Sequence, residues 1–316
     1  MAQKTISFVL PVYNEEKVLK EFYGVLSSTT KPLDGRYGLE FLFINDGSRD
    51  GTIQILKQLA AKDQRIKIIE FARNFGHQLA ITAGIDHAKG DAVIVMDTDL
   101  QDPPKTALDL IREWEQGNEV VYAVRATRKD GFWKRLTAGM FYKIMAKLSD
   151  YPIPENAGDF RLFDRRAADV MKRYREVHRY MRGISAHIGF KQKAVPFDRD
   201  SRRAGETHYP FRKMLGLSMD AVFSFSTAPL RFMTKFGLFV AGVSVLGIIY
   251  AVVVRIFFPV AAVPGWSFIV VAILFVGGIQ FIMLGILGEY IGRIFAESKG
   301  RPLYIISSTH GVEQDR

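Results

Sequence analysis

Three clusters of acidic and polar residues stand out in the first third of the chain, because such side chains can bind metal ions and phosphates. They are Pro11–Glu16 (PVYNEE), Asn45–Thr52 (NDGSRDGT) and Asp97–Pro104 (DTDLQDPP). Taken singly, each has a plain structural reading as a turn, a helix cap or a solvated acidic loop. Their chemistry becomes informative only when the elements that carry them are considered together.

Asp97, Asp99 and Gln101 have a spacing that suits a divalent cation. In an extended segment, residues two apart project to the same side, so two carboxylates and an amide oxygen would face one point. Oxygen ligands without a nearby His or Cys favour Mg²⁺ or Mn²⁺ over zinc. The chain has neither GxGxxG after its first strand nor GxxxxGK[ST], which argues against dinucleotide-binding and P-loop proteins. The remaining interpretation is a site in which the metal ion binds the diphosphate of a nucleotide substrate.

Five short runs of aliphatic, β-branched and aromatic residues read as buried strands. They are Ile6–Val12, Leu39–Asn45, Ile66–Phe71, Ala92–Met96 and Val120–Val124. Helical stretches lie between them, as in Thr52–Lys62 and Lys105–Gln116. This alternation predicts an α/β fold with a mostly parallel sheet and helices on both faces. The polar clusters would then meet at the carboxyl edge of the sheet, where ligands bind and where carboxylates repel unless a cation lies between them.

Two long apolar runs predict transmembrane helices at about residues 236–258 and 267–288. No charged residue occurs from Phe236 to Val254 or from Ile256 to Gly288, and roughly 20 helical residues span a bilayer core. One long buried core helix is the alternative, and Pro259, Pro264 and Gly265 between the runs argue against it. Residues 211–231 have an amphipathic pattern that predicts a helix in the membrane interface, with a buried core helix as the competing interpretation.

Basic residues flank both apolar runs, with Arg231 and Lys235 before the first and Arg293, Lys299 and Arg301 after the second. Positive flanks stay in the cytoplasm, so both termini are expected inside. The predicted organisation is a soluble domain over residues 1–210, the interfacial helix at 211–231, two spans within 232–292 and a cytoplasmic tail at 293–316. The net charge of +10 fits anionic lipid and phosphorylated substrates better than nucleic acid, for which no motif is present.

The ordered series PVYNEE, NDGSRDGT, ARNFGHQLA and DTDLQDPP resembles family-2 glycosyltransferases with the GT-A fold. Arg203–Tyr209 (RAGETHY) and Leu287–Ile294 (LGEYIGRI) resemble segments of polyprenyl-phosphate glycosyltransferases. Within that group the chain resembles bactoprenol glucosyltransferases most, and dolichyl-phosphate mannose synthases more distantly. The resemblance covers nearly the whole chain.

The resemblance implies site residues in four groups. The donor nucleotide would be bound by Pro11, Tyr13, Glu15, Asp46, Arg73 and Asp97, and the metal by Asp97, Asp99 and Gln101. The catalytic acids would be Asp159 and Asp99. The acceptor phosphate would be bound by Arg125, Lys134, Arg135, Arg203, Glu206 and Tyr209. Plain structural alternatives are a helix entry at Arg73, a solvated basic helix face at Lys134 and Arg135, and a turn at Asp159.

The resemblance also implies a reaction, namely inverting transfer of glucose from UDP-glucose to undecaprenyl phosphate on the cytoplasmic side of the inner membrane. UDP-N-acetylglucosamine and GDP-mannose are alternative donors, and a non-catalytic membrane scaffold is the alternative class. A processive polysaccharide synthase is disfavoured because the chain has no QxxRW sequence. The implied partners are further copies of the chain, as a homo-tetramer, with a flippase and a downstream glycosyltransferase. Because a phosphate acceptor is already ionised, Asp159 is expected to orient it rather than to act as an obligatory base.

Overall fold

The computed structural model describes residues 3–125, 157–198, 227–257 and 265–312. The chain divides into two compact units. Of the described residues, the first unit contains those up to 198 and those from 301 onward, and the second contains those from 227 to 300. The first unit is therefore discontinuous in sequence, and the second is inserted in it.

An eight-stranded sheet forms the centre of the first unit, in the order β7-β5-β6-β4-β1-β2-β3-β8. Six strands run in one direction, while β6 and β8 are antiparallel to their neighbours. This confirms the predicted mostly parallel α/β fold. The strands are β1 (Thr5–Val12), β2 (Gly38–Asn45), β3 (Ile66–Phe71), β4 (Ala92–Val95), β5 (Val120–Arg125), β6 (Ala157–Asp164), β7 (Gln192–Phe197) and β8 (Ile306–His310).

Helices cover both faces of this sheet. They are α1 (Leu19–Thr30), α2 (Thr52–Ala60), α3 (His77–His87), α4 (Pro104–Glu115), α5 (Arg165–Arg173) and α6 (Met181–His187). On one face, Phe8 and Phe41 pack in a core with Leu19 of α1. On the other, Gly84 of α3 lies so close to Val9 that an added Cβ would meet the valine Cγ1 at 2.1 Å. Burial on both faces explains why β1 and β2 are continuous apolar runs rather than alternating ones.

Strand β8 was not predicted, since residues 293–316 had been interpreted as a tail. It pairs antiparallel with β3, joining Ile68 to His310 and Ile69 to Thr309. The Ala72 N–H also donates to the carbonyl of Ile305 at 3.0 Å. The polar sequence ISSTH lacks a strand pattern, and an edge strand is held mainly by its backbone hydrogen bonds.

The second unit contains two long apolar helices, α7 (Ala228–Phe257) and α8 (Trp266–Ser298), that contact each other. Both are long and apolar enough to cross a membrane. Helix α8 continues ten residues past the predicted end at 288. Within this extension Glu289 and Arg293, one turn apart, form an ion pair at 3.0 Å, and Gly300, with a left-handed φ of 55°, follows the end of the helix. Residues 211–226, the main part of the predicted interfacial helix, lie outside the described residues.

Candidate active site

The loops that follow β1 and β2 are joined by a set of side-chain hydrogen bonds. Asn14 has a left-handed φ of 56°, which Asn tolerates better than most residues. Its N–H donates to Ser48 Oγ at 3.0 Å, and its Oδ1 accepts from the Arg49 N–H at 2.9 Å. Glu16 Oε2 accepts from the Gly51 N–H at 2.7 Å. The first two polar clusters therefore form one connected surface.

Asp46 connects that surface to the start of helix α3. Its buried carboxylate accepts hydrogen bonds from the N–H groups of Phe75 at 2.7 Å and Gly76 at 3.0 Å, and from Asn74 Nδ2 at 3.0 Å. A carboxylate offers about four acceptor sites, so most of those on Asp46 are already used within the protein. Burial raises the pKa of Asp46 above its ordinary value, although the Phe75 and Gly76 N–H groups favour the ionised form.

The segment after β4 is a tight turn rather than an extended strand. Leu100 has a left-handed φ of 58°, and Asp99 Oδ1 accepts from the Gln101 N–H at 3.0 Å. The expectation that Asp97, Asp99 and Gln101 project to one side of an extended segment is therefore wrong. The reason is that an Asp side chain can bond a backbone N–H two residues on and so stabilise a turn. Thr98 holds the segment to β1 by donating to the carbonyl of Pro11 at 3.2 Å.

His77, the first residue of α3, lies between two carboxylates from different strands. Its Nε2 is 3.4 Å from Asp97 Oδ1, just beyond the end of β4, and 3.6 Å from Asp159 Oδ2, near the start of β6. Because β6 runs antiparallel to β4, its first residues meet the carboxyl end of β4. The Gly76 φ of 101° before the helix is accessible mainly to glycine, and it sets the direction in which α3 begins.

Asp159 is held by side chains from two helices. Arg182 of α6 donates through Nε to Oδ1 at 3.0 Å and through Nη2 to Oδ2 at 3.3 Å. Gln78 of α3 donates to Oδ2 at 3.2 Å. The Asp159 side chain is 10% exposed, against 32% for Arg182. Asp159 therefore lies in a strand, paired with a cation, and the alternative of a turn residue is excluded.

These contacts set opposite directions for the two titrating groups. Burial alone would raise the pKa of Asp159, but the His77 hydrogen bond and the Arg182 charge outweigh it and hold the pKa well below its ordinary value. Burial alone would lower the pKa of His77, but the Asp159 hydrogen bond and the charges of Asp97 and Asp159 raise it. The arrangement therefore keeps Asp159 ionised across the neutral pH range.

Of the remaining predicted site residues, Tyr13 and Arg73 are exposed beside this edge and Glu15 is half-buried. Arg73 lies over the ring of Phe75, with its guanidinium carbon 3.9 Å from the ring centroid. Arg125 is half-buried at the end of β5, opposite Phe197 of β7. The acceptor residues Lys134, Arg135, Arg203, Glu206 and Tyr209 lie outside the described residues.

The sequence places His77 and Gln78 only within the ARNFGHQLA segment of the family resemblance, and it does not single out Arg182. His77 had a detectable signal, because it is the one imidazole within the four segments that carry the family resemblance and it begins a helical stretch. Arg182 had none, since it is 23 residues from Asp159 and belongs to no recognised motif. Its role follows only from the packing of α6 beside β6.

A metal ion would need ligands beyond those that this edge gathers. In the part of the chain that the structure describes, no three His, Cys, Asp or Glu side chains lie close enough to hold an ion together. The assignment of Asp97, Asp99 and Gln101 as ligands therefore stays a prediction. It requires that substrate or solvent oxygens complete the coordination, as Mg²⁺ commonly allows.

A family model described as glycosyl transferase family 2 matches residues 7–171, the stretch that carries Asp46, His77, Asp97 and Asp159. The chain belongs to glycosyltransferase family 2. An uncharacterised glycosyltransferase of Bacillus subtilis is 47% identical over 98% of this chain and 95% of its own length. A protein of Shigella phage SfII named bactoprenol glucosyl transferase is 43% identical over 96% of this chain and 98% of its own.

Among solved structures, a mannosyl-3-phosphoglycerate synthase from Rubrobacter xylanophilus superimposes with a TM-score of 0.48 at 18% identity. The match covers 74% of this chain and 75% of that one. The family assignment itself rests on the family model and on the relatives that match almost from end to end.

Proposed function

We propose that this family-2 enzyme moves glucose from UDP-glucose onto undecaprenyl phosphate, with inversion, at the cytoplasmic face of the inner membrane. The relatives named bactoprenol glucosyl transferase support the reaction, since one is 43% identical over 96% of this chain. The observation that carries the proposal is the gathering of Asp97, His77 and Asp159 at the carboxyl edge of the sheet, where open α/β sheets bind ligands.

The donor nucleotide is proposed to lie over the ends of β1 and β2. Tyr13, 44% exposed, presents a ring there, and Pro11 and Glu15 belong to the same connected loop surface. Asp46 and Arg73 lie at the far side of that surface. Because the carboxylate of Asp46 is already bonded to the loop before α3, its main contribution would be to hold that loop in place beside the diphosphate.

Asp97 and Asp99 are proposed to hold Mg²⁺ or Mn²⁺, with Gln101 as a further oxygen ligand. The donor set fits a hard divalent ion, because it contains carboxylate and amide oxygens and the chain has no cysteine. The Asp97 side chain is 33% exposed and therefore accessible to a ligand from solvent. When bound, such an ion would neutralise charge that develops on the departing nucleoside diphosphate.

The acceptor phosphate is proposed to meet the sheet edge near Asp159 and Arg125. Its oxygens are already ionised near pH 7, so they can attack the sugar without first losing a proton to the enzyme. Asp159, held ionised by Arg182, suits a role in orienting neighbouring cations rather than in removing a proton. Lys134, Arg135, Arg203, Glu206 and Tyr209 would complete the acceptor site.

The two apolar helices α7 and α8 are proposed to anchor the enzyme in the membrane with both termini in the cytoplasm. The chain contains no cysteine, so a single introduced one is the only reactive thiol. Ala262→Cys, between the helices, should react with an impermeant thiol reagent in intact cells. Ser308→Cys, in β8, should react only after the cells are made permeable. The opposite labelling pattern would overturn the cytoplasmic active site.

The reaction is tested by incubating purified enzyme with undecaprenyl phosphate and a panel of UDP-glucose, UDP-N-acetylglucosamine and GDP-mannose. Mass spectrometry of the lipid product identifies the sugar, and we expect a hexose from UDP-glucose. EDTA should abolish turnover, and added Mg²⁺ or Mn²⁺ should restore it. A lipid product bearing another sugar would correct the donor, and no product from any donor would overturn the proposed reaction. The homo-tetramer and the flippase and downstream glycosyltransferase partners stay predictions.

A further inference from the structure

The carboxylate of Asp159 is held more firmly than a substrate-binding carboxylate needs to be. Three side chains approach it, namely Arg182 with two hydrogen bonds, Gln78 with one and His77 at 3.6 Å. The Asp159 side chain is only 10% exposed. Because both of its oxygens are used, its orientation is set by the protein rather than by a ligand.

The same contacts fix the place of Arg182. Gln78 accepts through Oε1 from the N–H of Met181 at 3.0 Å while donating through Nε2 to Asp159. The side-chain amide of Gln78 therefore bonds both to Asp159 and to Met181, the residue before Arg182. Gln78 is itself in the first turn of α3, so the ion pair is tied to the helix that carries His77.

A second connection lies behind the pair. Arg161 of β6 is 2% exposed, donates through Nε to the carbonyl of Gly158 at 3.1 Å and through Nη1 to Ser185 Oγ. It therefore joins the residue before Asp159 to α6, one turn beyond Arg182. Burial lowers the pKa of Arg161 to about 10, which still leaves the side chain charged at neutral pH. Leaving a buried, charged arginine without its hydrogen-bond partners is costly. The hydrogen bonds of Arg161 to Gly158 and Ser185 therefore hold β6 and α6 together.

We propose that Arg182 is a positioning residue for the transfer, acting through Asp159 by keeping that carboxylate fixed and its charge compensated where the acceptor phosphate docks. This inference rests on the proposed function. A dianionic acceptor that approaches an uncompensated carboxylate is repelled. With Arg182 paired to it, Asp159 orients the neighbouring Gln78 and His77 side chains while its negative charge is compensated.

The test measures the steady-state KM for undecaprenyl phosphate and the KM for the nucleotide-sugar in five proteins: wild type, Arg182→Gln, Arg182→Lys, Asp159→Asn and the double variant Arg182→Gln/Asp159→Asn. Arg182→Gln removes the cation that hydrogen-bonds to both oxygens of Asp159, so the acceptor KM should rise by about 30-fold or more while the donor KM changes little. Removing the charge of Asp159 as well should restore part of the loss. The double variant should therefore bind the acceptor better than Arg182→Gln alone, and Arg182→Lys should retain part of the wild-type affinity.

Arg175→Gln is the matched control, because Arg175 also pairs with a carboxylate away from the site, donating through Nη1 to both oxygens of Asp86. It should leave both KM values unchanged. Binding of the nucleotide to each variant, measured calorimetrically, verifies that the fold is intact. If the increases in acceptor KM of the two single variants multiply in the double variant, Arg182 contacts the acceptor independently of Asp159, and the inference is overturned. An unchanged acceptor KM in Arg182→Gln would also overturn it. A wild-type enzyme that fails to use polyprenyl phosphate would overturn the proposed function and this inference together.

Discussion

The two ends of helix α3 carry similar ion pairs with different surroundings. Near its start, Asp159 is paired with Arg182 and is 10% exposed. At its end, Asp86 is paired with Arg175 and is 13% exposed. Each carboxylate accepts two hydrogen bonds from its arginine. A largely buried carboxylate paired with an arginine is therefore not by itself the mark of an active site in this molecule.

The two ion pairs differ in the further residue that contacts each carboxylate. At the end of α3, Asp86 also accepts from the hydroxyl of Tyr304 at 2.8 Å, and the Tyr304 ring stacks on Phe71 with centroids 5.2 Å apart. That cluster joins the C-terminal segment to the sheet. At the start, His77 brings in a second carboxylate, Asp97, from another strand. At the start of α3, two acids from different strands therefore converge on one half-exposed imidazole, whereas at its end a single acid is bonded by an arginine and a tyrosine.

The largest effect is expected when the charge of Asp97 is removed. Asp97→Asn keeps the shape of the side chain but removes the charge that would face the metal and the diphosphate. The turnover rate should fall by about 10²–10³-fold, measured by lipid product formation at saturating substrates. Asp86→Asn, the same substitution at the other end of α3, should leave the rate within a small factor of wild type. Equal losses in both variants would remove the functional distinction between the two clusters.

A smaller effect is expected for Asp159→Asn. An obligatory base would make the rate fall by about 10²–10⁴-fold, with the loss persisting above neutral pH. An orienting residue predicts a loss below that range, accompanied by weaker acceptor binding. Because the pKa of Asp159 is held well below its ordinary value, its carboxylate is already ionised throughout the neutral pH range. The rate should therefore show no inflection from this group between about pH 6 and 9. A large, pH-independent loss with intact lipid affinity would contradict the orienting role.

The central sheet could be predicted closely from sequence, whereas the contacts of the site could not. Strands such as Leu39–Asn45 are continuous apolar runs bounded by polar residues, and the observed β2 differs by one residue. β8 escaped detection because its polar residues pair only through the backbone at a sheet edge. The contact of Asp46 with the nucleotide stays a prediction, and its three hydrogen bonds to a loop 28 to 30 residues away could not be predicted. The apolar pattern of a strand is set by residues that are neighbours in sequence. Side-chain hydrogen bonds such as those of Asp46 depend instead on which distant segments the fold brings together.

A third prediction concerns the place where the loop after β2 packs against the loop before α3. Gly47 has a φ of 65°, and an added Cβ would lie 2.5 Å from the Arg73 carbonyl carbon. Gly47→Ala should therefore displace the loop that positions His77 and lower the free energy of unfolding by roughly 2–3 kcal/mol, from strain and overpacking together. Gly35→Ala is the matched control, with a φ of 83° but nothing within 4 Å of the added Cβ. Equal destabilisation in both would show that backbone strain alone matters.

The smallest effect is expected at Tyr304, where the C-terminal segment joins the other end of α3. Tyr304→Phe keeps the ring that stacks on Phe71 and removes only the hydroxyl that donates to Asp86. Arg175 still pairs with Asp86 at 2.8 Å, so the carboxylate is not left without a cation. The free energy of unfolding of the sheet domain, measured by urea denaturation, should fall by about 1 kcal/mol. The turnover rate and both KM values should stay at their wild-type values, because no hydrogen bond of the Asp159 cluster is lost. A Tyr304→Phe enzyme with normal stability but a slow rate would mean that α3 transmits changes from one end to the other, and the two clusters would then have to be treated as one site.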